Sequence, residues 1–389
     1  MRFQDNMRTQ YVVDAILDMD TQVSEEISET EFWKSIEQQA PFQDGLDDRI
    51  VKLGYDGEPD DVPAKVKFIS SQFKKNGVEP ISSVTLKNWY VKDGPSDDKN
   101  GRANVYKLCF ALEMNAIETA EFFFKAYRTR PFNYKDTAEA VYYWCLLNGK
   151  SYSDAVRLIA EIDSVATDIQ ADRDIATEEI GSEISYISDE PELVKYLSEH
   201  RYDKSKQHKT VTDKIDELLK HCYEAATQET KYTSEKPRTV ESADMLLDVI
   251  YDYDEAQMSA PITQSKLPKA LKTYWPNRQT LENIKKHNIG AEDLYRRPLI
   301  LLTFYDFYAK AYVEQRKKKS EPDIDMVGLA DEFEDEINEV LAKCGYIQFY
   351  KRNPFDGLIY LCTSYPNPLS QFRQIIAEFY LDEVDSAEE

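Results

Sequence analysis

The stretch DTAEAVYYWCLLNGKSYSDAVRLIAEI (residues 136–162) has a counterpart 217 positions later, NPFDGLIYLCTSYPNPLSQFRQIIAEF (residues 353–379). Laid together without a gap, the two stretches share six identities in 27 positions, a number that chance alone could give. Each stretch also opens with a helix-capping residue, Asp136 or Asn353, followed three positions later by an acid. In the second half of each, apolar residues recur with the i, i+3, i+4, i+7 spacing of a helix that buries one face. We interpret the pair as an internal repeat.

The repeat extends upstream of both stretches. SSVTLKNWYVKDG (82–94) corresponds to NRQTLENIKKHNIG (277–290), and each begins with a capping residue and ends with glycine. VYKLCFALEM (105–114) likewise corresponds to LILLTFYDFY (299–308), and both are strongly apolar. Duplication of one helical module is the favoured interpretation, and independent convergence on a similar helical packing is the alternative.

The composition is typical of an all-α protein. The chain has only 12 glycines in 389 residues, few runs of alternating β-branched residues, and abundant Glu, Lys, Leu and Ala. We therefore predict two diverged copies of a multi-helix module joined by a helical connector. The predicted order is an acidic N-terminal helical segment (1–62), module copy one (63–165), a helical connector (166–262), module copy two (263–383) and an acidic tail (384–389).

Several features of the sequence indicate a cytoplasmic protein. The longest apolar run is too short to span a membrane. The first twenty residues carry acids where a secretory signal peptide has a long apolar core. The five cysteines have no motif spacing, so we expect free thiols rather than disulfides.

The charge is unevenly distributed along the chain. The net charge of −24 disfavours non-specific affinity for nucleic acids. Residues 64–107 nevertheless carry a net +5 and residues 266–319 a net +8, whereas residues 1–63 carry −11. Both basic windows contain the same element of the repeat, a capped helix followed by an apolar helix. The sequence therefore predicts two basic patches on an acidic protein.

Two short motifs lie within the first basic window and at its end. TLKNW (85–89) matches the pattern T-L/I-x-x-W, and KLCFAL (107–112) matches K-L-x-x-A-L. Over residues 64–125 the chain resembles the helix-turn-helix of phage-repressor-like (XRE-type) regulators, in which the second helix of the pair lies in the major groove of DNA. The resemblance implies that Leu86 and Trp89 pack inward. The resemblance also implies that six polar side chains face DNA, namely Ser82, Ser83, Thr85, Lys87, Asn88 and Lys92.

The second copy departs further from this pattern. Ile284 stands in place of the tryptophan, and LILLTFYDFY (299–308) lacks the second motif. For both copies the alternative is a corner of helical packing with a solvated basic rim. The basic side chains of copy two that could still bind phosphates are Arg278, Lys285, Lys286, Arg296 and Arg297.

Two loops that mix arginine with aromatic residues occupy comparable places in the two copies. They are YRTRPFNY (127–134) and FYKRNPF (349–355). Arginine and aromatic side chains are favoured at interfaces with proteins and with unstacked nucleotides. The alternative is a loop that closes the core of its module. The candidate interaction residues are Arg128, Arg130, Phe132, Tyr134, Tyr350 and Arg352.

Motifs for catalysis are missing from the sequence. None of the four histidines has a second histidine at ligand spacing, and His221 and Cys222 are neighbours on a predicted helix, so they point in different directions. No glycine-rich phosphate loop and no G-x-S-x-G elbow occurs. We expect no metal, no cofactor and no enzymatic activity. The carboxylates of EPDIDM (321–326) and DEFEDE (331–336) are interpreted as solvated helix faces. The alternative is a hydrolase, which a single carboxylate substitution would inactivate without loss of the fold.

These patterns favour a DNA-binding regulator that uses the helix-turn-helix-like element of copy one and offers further helical surfaces to protein partners. The alternative function is an acidic adaptor or inhibitor that docks on a basic, nucleic-acid-handling protein. The two differ in salt dependence, because counterion release makes DNA binding weaken steeply as salt rises. The sequence gives no indication of the DNA site, the partner, the oligomeric state or the pathway.

Overall fold

The regular elements of the described chain are all helices. The computed structural model describes residues 41–91, 94–96, 99–165, 177–200, 209–234, 236–252, 268–272, 274–285, 293–318, 325–346, 348–351 and 353–381. No strand occurs in these ranges, and the prediction of an all-α protein is confirmed. The described residues form two units, unit one up to residue 200 and unit two from residue 209.

Unit one contains nine α-helices among its described residues. The fifth continues into a π-helical turn, Phe123–Tyr127, after which Arg128 has a φ of +59°. The helices are α1 (Pro41–Lys52), α2 (Val62–Lys75), α3 (Ser83–Val91), α4 (Lys99–Ala111), α5 (Ala116–Phe122), α6 (Thr137–Leu147), α7 (Tyr152–Ser164), α8 (Thr177–Tyr186) and α9 (Glu190–Glu199).

Unit two contains eight α-helices among its described residues. A short 3₁₀-helix, Val327–Leu329, precedes the sixth of them. The helices are α10 (Lys209–Thr233), α11 (Ala243–Tyr251), α12 (Lys269–Lys272), α13 (Arg278–Lys285), α14 (Asp293–Lys318), α15 (Ala330–Lys343), α16 (Pro354–Thr363) and α17 (Pro368–Leu381).

The helices begin where capping residues predict that they should. The Asp136 carboxylate accepts the N–H groups of Ala138 and Glu139 at the start of α6. Asn353 caps α16 in the same way, with proline at the first helical position. Such caps satisfy N–H groups that have no partner inside the helix.

Helices α6 and α16, at the start of the two aligned stretches, are buried in the cores of their units. In α6, every residue from Ala140 to Leu146 is buried, and the helix packs against α5, α7 and α8. The Trp144 indole N–H donates to the Ile187 carbonyl at 3.0 Å, which satisfies the one polar group of this large side chain. In α16, nine of the ten residues are buried. Burial on all sides explains why both helices are apolar around their whole circumference.

A buried ion pair occupies the same position in each unit. Arg102, the fourth residue of α4, contacts both oxygens of Glu139, the third residue of α6, at 2.9 and 2.7 Å. Arg296, the fourth residue of α14, contacts both oxygens of Asp356, the third residue of α16, at 2.7 and 2.6 Å. Each pair fixes the start of a core helix to the start of its neighbour.

The backbone around the two ion pairs corresponds as well. The Asn133 N–H donates to Glu139 Oε2 at 2.7 Å, and the Tyr350 N–H donates to Asp356 Oδ2 at 2.8 Å. Both donors lie six residues before the carboxylate and 217 positions apart. Each arginine also donates to a carbonyl of the preceding loop, that of Arg130 or Gln348, at 3.1 Å. The two units therefore share a polar arrangement at the starts of α6 and α16 that helix packing by itself does not require.

A second buried carboxylate joins four helices of unit two. Glu229 on α10 accepts from Arg373 on α17 at 2.8 Å and from the Tyr305 hydroxyl on α14 at 2.7 Å. Arg373 also donates to the carbonyls of Val249 and Ile250 at the end of α11. The charge is thus fully bonded within the core, as a buried carboxylate requires.

The units do not follow the predicted domain boundaries. The described helices of the predicted connector (166–262) divide between the units, since α8 and α9 belong to unit one and α10 and α11 to unit two. Helix α1, predicted within a separate N-terminal segment (1–62), contributes Phe42 to the core of unit one. The predicted tail (384–389) lies outside the described residues.

Candidate nucleic-acid interface

Helix α3 has a buried side and an exposed side, and the exposed side carries most of the predicted polar candidates. Leu86 and Trp89 are buried in the core of unit one. Ser82, Ser83, Lys87 and Asn88 are exposed, and Thr85 is half-buried. Lys92 lies outside the described residues.

Two of the candidate hydroxyl groups are used inside the protein. The Thr85 N–H donates to the Ser82 hydroxyl oxygen at 3.0 Å, and the two hydroxyl oxygens lie 2.8 Å apart. Ser82 and Thr85 therefore cap the start of α3. Ser83, Lys87 and Asn88 are the candidates that point to solvent without this role.

Contacts with α1 and α2 hold α3 at a fixed rotation. Phe42 on α1 packs edge-on against Trp89 at 5.5 Å between ring centroids, and the Gln43 amide donates to the Trp89 carbonyl at 3.1 Å. The Tyr90 hydroxyl donates to Asp47 Oδ1 at 3.0 Å, and the buried Lys65 ammonium forms an ion pair with the same carboxylate. Burial, followed by the charge of Asp47, raises the pKa of Tyr90, so this tyrosine stays protonated as the donor.

The helix pair α2–α3 is basic in an otherwise acidic chain. Residues 62–91 carry five lysines and a single acid, Glu79, which lies between the two helices. Lys65 is bound by Asp47, and Lys75 by Glu113 at 2.7 Å. The remaining three, Lys67, Lys74 and Lys87, are exposed. We call residues 62–91 the basic helix pair.

The connection between the two helices is longer than in a standard helix-turn-helix. Helix α2 ends at Lys75 and α3 begins at Ser83, so seven residues intervene, against roughly three or four in the usual motif. The connection is anchored, because the Asn76 amide donates to the Ala111 carbonyl at 2.8 Å. Gly77 takes a φ of +61°, in the region that glycine adopts without strain.

The face of α3 also exposes two valines, which the sequence analysis did not single out. Val84 is 68% exposed and Val91 is 70% exposed. They are seven residues apart, or about two helical turns, so they lie on the same side of the helix as Lys87. The i, i+7 spacing of the two valines is the signal in the sequence that could have revealed them.

The corresponding surface of unit two is less suited to binding phosphates. Leu281 and Ile284 of α13 are buried, like Leu86 and Trp89 of α3. Arg278 is exposed, but its guanidinium lies 3.2 Å from Asp244 and 2.9 Å from Glu282. The Lys285 side chain and all of Lys286 lie outside the described residues.

The expectation that Arg296 and Arg297 could bind phosphates is wrong. Arg296 is 2% exposed and forms the ion pair with Asp356. Arg297 is 5% exposed, donates to the Leu271 carbonyl at 3.1 Å and stacks over the Phe355 ring. Both guanidinium groups belong to the core of unit two.

The arginine- and aromatic-rich loops pack into the unit cores. Phe132 and Tyr350 are buried, and Phe132 stacks with Tyr106 at 5.8 Å between centroids. Arg128, Arg130 and Tyr134 are half-buried, and Arg352 lies outside the described residues. Phe132 and Tyr350, predicted as interaction residues, are therefore not on the surface of their units. Phe132 belongs to the core of unit one, and Phe349 and Phe355 of the second loop belong to the core of unit two. These contacts match the alternative, a loop that closes the core.

Among the described residues, the histidine and cysteine side chains do not come together in one cluster. His221 lies 3.8 Å from Asp306, whose carboxylate pairs with Lys310 at 2.5 Å. All five cysteines are buried, and burial raises the pKa of Cys109, Cys145 and Cys344 to about 12, which leaves thiols rather than nucleophilic thiolates. Within the described ranges, no three His, Cys, Asp or Glu side chains converge so as to hold a metal ion.

An open cleft of ≈ 560 Å³ lies beside α10 and α14 of unit two. Its charged lining mixes both signs, with Lys310 and Lys317 beside Glu224 and Glu314. This balance gives the cleft no preference for either an anion or a cation.

Across the part of the chain that the structure describes, no helix is long and apolar enough to cross a membrane.

Comparison of the chain with protein-family models, with curated proteins and with solved structures finds no match.

Proposed function

We propose that this protein is a regulator that binds duplex DNA through the basic helix pair of unit one. The observation that carries the proposal is the exposed face of α3, where Ser83, Lys87 and Asn88 point to solvent while Leu86 and Trp89 are buried. The helix carries no acidic residue in a chain whose net charge is −24. A helix of this kind can approach DNA without the repulsion that the rest of the chain would produce.

Each candidate side chain has a distinct role in this proposal. Lys87 on α3 and the exposed Lys67 and Lys74 on α2 neutralise phosphates and supply sequence-independent affinity. Asn88 has the amide geometry that pairs with the N6 and N7 atoms of adenine, and Ser83 can bond to several base edges. The buried Trp89 and the bonded Tyr90 fix the rotation of the helix, so these groups are presented in a constant orientation.

We further propose that the two units are diverged copies of one module. The equivalent ion pairs Arg102–Glu139 and Arg296–Asp356 support this, since four matched groups recur at matched positions. On this view unit one kept a basic exposed helix, whereas Arg278, in the described part of the corresponding α13, is paired with acids. DNA binding is accordingly assigned to unit one, and surfaces elsewhere in the protein are left for protein partners.

The test is duplex binding by fluorescence anisotropy over a series of salt concentrations. We expect a dissociation constant that rises steeply with salt, by about 0.9 logarithmic units per logarithmic unit of salt for each phosphate neutralised. Changing Lys87→Gln should weaken binding to all sequences and lower the salt slope by about one. Lys195→Gln is the matched control, because Lys195 is an exposed lysine of α9 in the same unit.

A dissociation constant that does not change with salt, or equal effects of the Lys87 and Lys195 substitutions, would contradict the proposal. The acidic adaptor is then favoured if the chain co-purifies with a basic protein and loses it when acids in residues 1–40 are neutralised.

A further inference from the structure

The exposed side of α3 combines apolar and basic groups. Val84 and Val91 flank Lys87, and both valines are more than two-thirds exposed. Phosphate binding explains the lysine but gives no reason for two exposed valines on one short helix. The combination fits a protein segment that has apolar and acidic side chains together.

Such a segment exists in this chain, outside the described residues. YVVDAILDMDTQVSEEISETE (residues 11–31) contains seven acidic side chains and no basic one. Its first half alternates apolar residues with acids, including Val13, Ile16 and Leu17 beside Asp14 and Asp18. Its apolar side chains therefore complement Val84 and Val91, and its acidic side chains complement Lys87.

The covalent connection brings this segment within reach of α3. The chain enters α1 at Pro41, ten residues after Glu31, and the next residue, Phe42, packs against Trp89 of α3. Ten extended residues span up to about 35 Å, and nine helical residues such as those of α3 are about 13.5 Å long. A tether of this length gives an effective concentration on the order of millimolar, which a separate acidic partner would rarely match.

We propose that residues 11–31 bind to the exposed side of α3 and compete there with DNA. The apolar side chains cover Val84 and Val91, and the acids occupy Lys87. The competition with DNA depends on the proposed function, whereas the intramolecular contact does not. DNA must therefore displace the segment before it can bind. This requirement lowers the apparent affinity for every site, so weak, non-specific sites are occupied least.

Cross-linking between introduced cysteines tests the contact without DNA. The double substitution Ile16→Cys and Val84→Cys adds thiols at both proposed surfaces, while the five native cysteines are buried. A short bis-maleimide should join them within one chain, at a rate independent of protein concentration. Ile16→Cys with Val156→Cys is the control, since Val156 is an exposed valine of α7 in the same unit.

Equal cross-linking of the Val84 and Val156 pairs would overturn the proposed contact, even if the protein binds DNA. Cross-linking only between chains would show that the segment binds α3 of a second copy of the chain, and would overturn the proposed contact within one chain. Selective cross-linking within one chain supports the contact, even if no DNA is bound.

Neutralising the segment tests the competition. The variant Asp14→Asn, Asp18→Asn, Asp20→Asn is compared with Asp331→Asn, Glu332→Gln, Asp335→Asn, which removes three exposed charges from α15. If the segment occupies α3 in nine molecules of ten, the apparent dissociation constant for duplex DNA should fall about tenfold in the first variant only. An equal fall in both variants would mean a general charge effect and would overturn the competition.

Discussion

Arg102 and Arg296 show how single buried charges join distant parts of each unit. Arg296 reaches Asp356 across 60 positions of sequence, and Arg102 reaches Glu139 across 37. Transfer of a lone guanidinium into a protein core is costly, so each arginine is held by both oxygens of one carboxylate and by a loop carbonyl. Such pairs add little net stability compared with an apolar core, but the loss of one partner is expensive.

At the residue scale, we predict that Glu139→Gln lowers the free energy of unfolding by about 3–5 kcal/mol at pH 7, because it leaves Arg102 buried without its counter-charge. Chemical denaturation followed by circular dichroism measures the change. Glu339→Gln, which removes a carboxylate from an exposed pair with Lys343, is the control and should have little effect. Similar losses in both variants would show that burial is not the cause.

The same carboxylate predicts a pH dependence of stability. Burial by itself raises the pKa of Glu139, but the charge and hydrogen bonds of Arg102 outweigh it, so the pKa lies below its ordinary value of 4.5. A carboxylate with a lower pKa in the folded chain favours folding above its unfolded pKa, and this contribution is lost as the pH falls through the folded pKa. The wild-type protein should therefore lose stability below about pH 4.5, and the Glu139→Gln variant should lose stability less steeply over the same range. Parallel curves of unfolding free energy against pH for the two proteins would show that Glu139 does not contribute to the loss of stability in acid.

At the scale of elements, the contact between α1 and the π-helical turn depends on a glycine. A Cβ atom at Gly45 would lie 2.6 Å from the Cβ of Ala126, closer than two carbon atoms can pack. Glycine inside a helix is usually unfavourable by about 0.5–1 kcal/mol relative to alanine. Here close approach of the two segments outweighs that preference.

We therefore predict that Gly45→Ala destabilises the protein by about 1–3 kcal/mol, through overpacking. Thermal and chemical denaturation measure the change. Gly328→Ala, where a Cβ would meet nothing within 4 Å, should leave stability nearly unchanged or raise it. Adding Ala126→Gly to Gly45→Ala should restore part of the loss, and stabilisation by Gly45→Ala alone would contradict the close contact.

At the scale of the whole molecule, each unit has its own hydrophobic core. The core of unit one runs from Phe42 to Leu197, and that of unit two from Val211 to Ile376. A segment that encloses its own core can in principle fold alone. The chain is thus organised by its two cores, and the residues predicted as a connector contribute helices to both.

We predict that residues 39–207 and 208–389, expressed separately, each fold. Each fragment should show a helical circular dichroism spectrum and a cooperative thermal transition, because the described hydrophobic core of each unit lies within its fragment. The full chain, measured in parallel, provides the reference for helix content. A fragment that shows a transition only when the other is added would show that the units depend on each other.

The sequence by itself determined the helical fold class, the starts of the capped helices and the inward side of α3. These properties depend on neighbours within one or two turns, since caps and amphipathic spacing act locally. The tertiary structure alone decided that Arg296 and Arg297 are buried, that Phe132 and Tyr350 are buried, and that the predicted connector divides between two units. Those outcomes depend on partners tens of residues away, such as Asp356 for Arg296, which a local pattern does not encode.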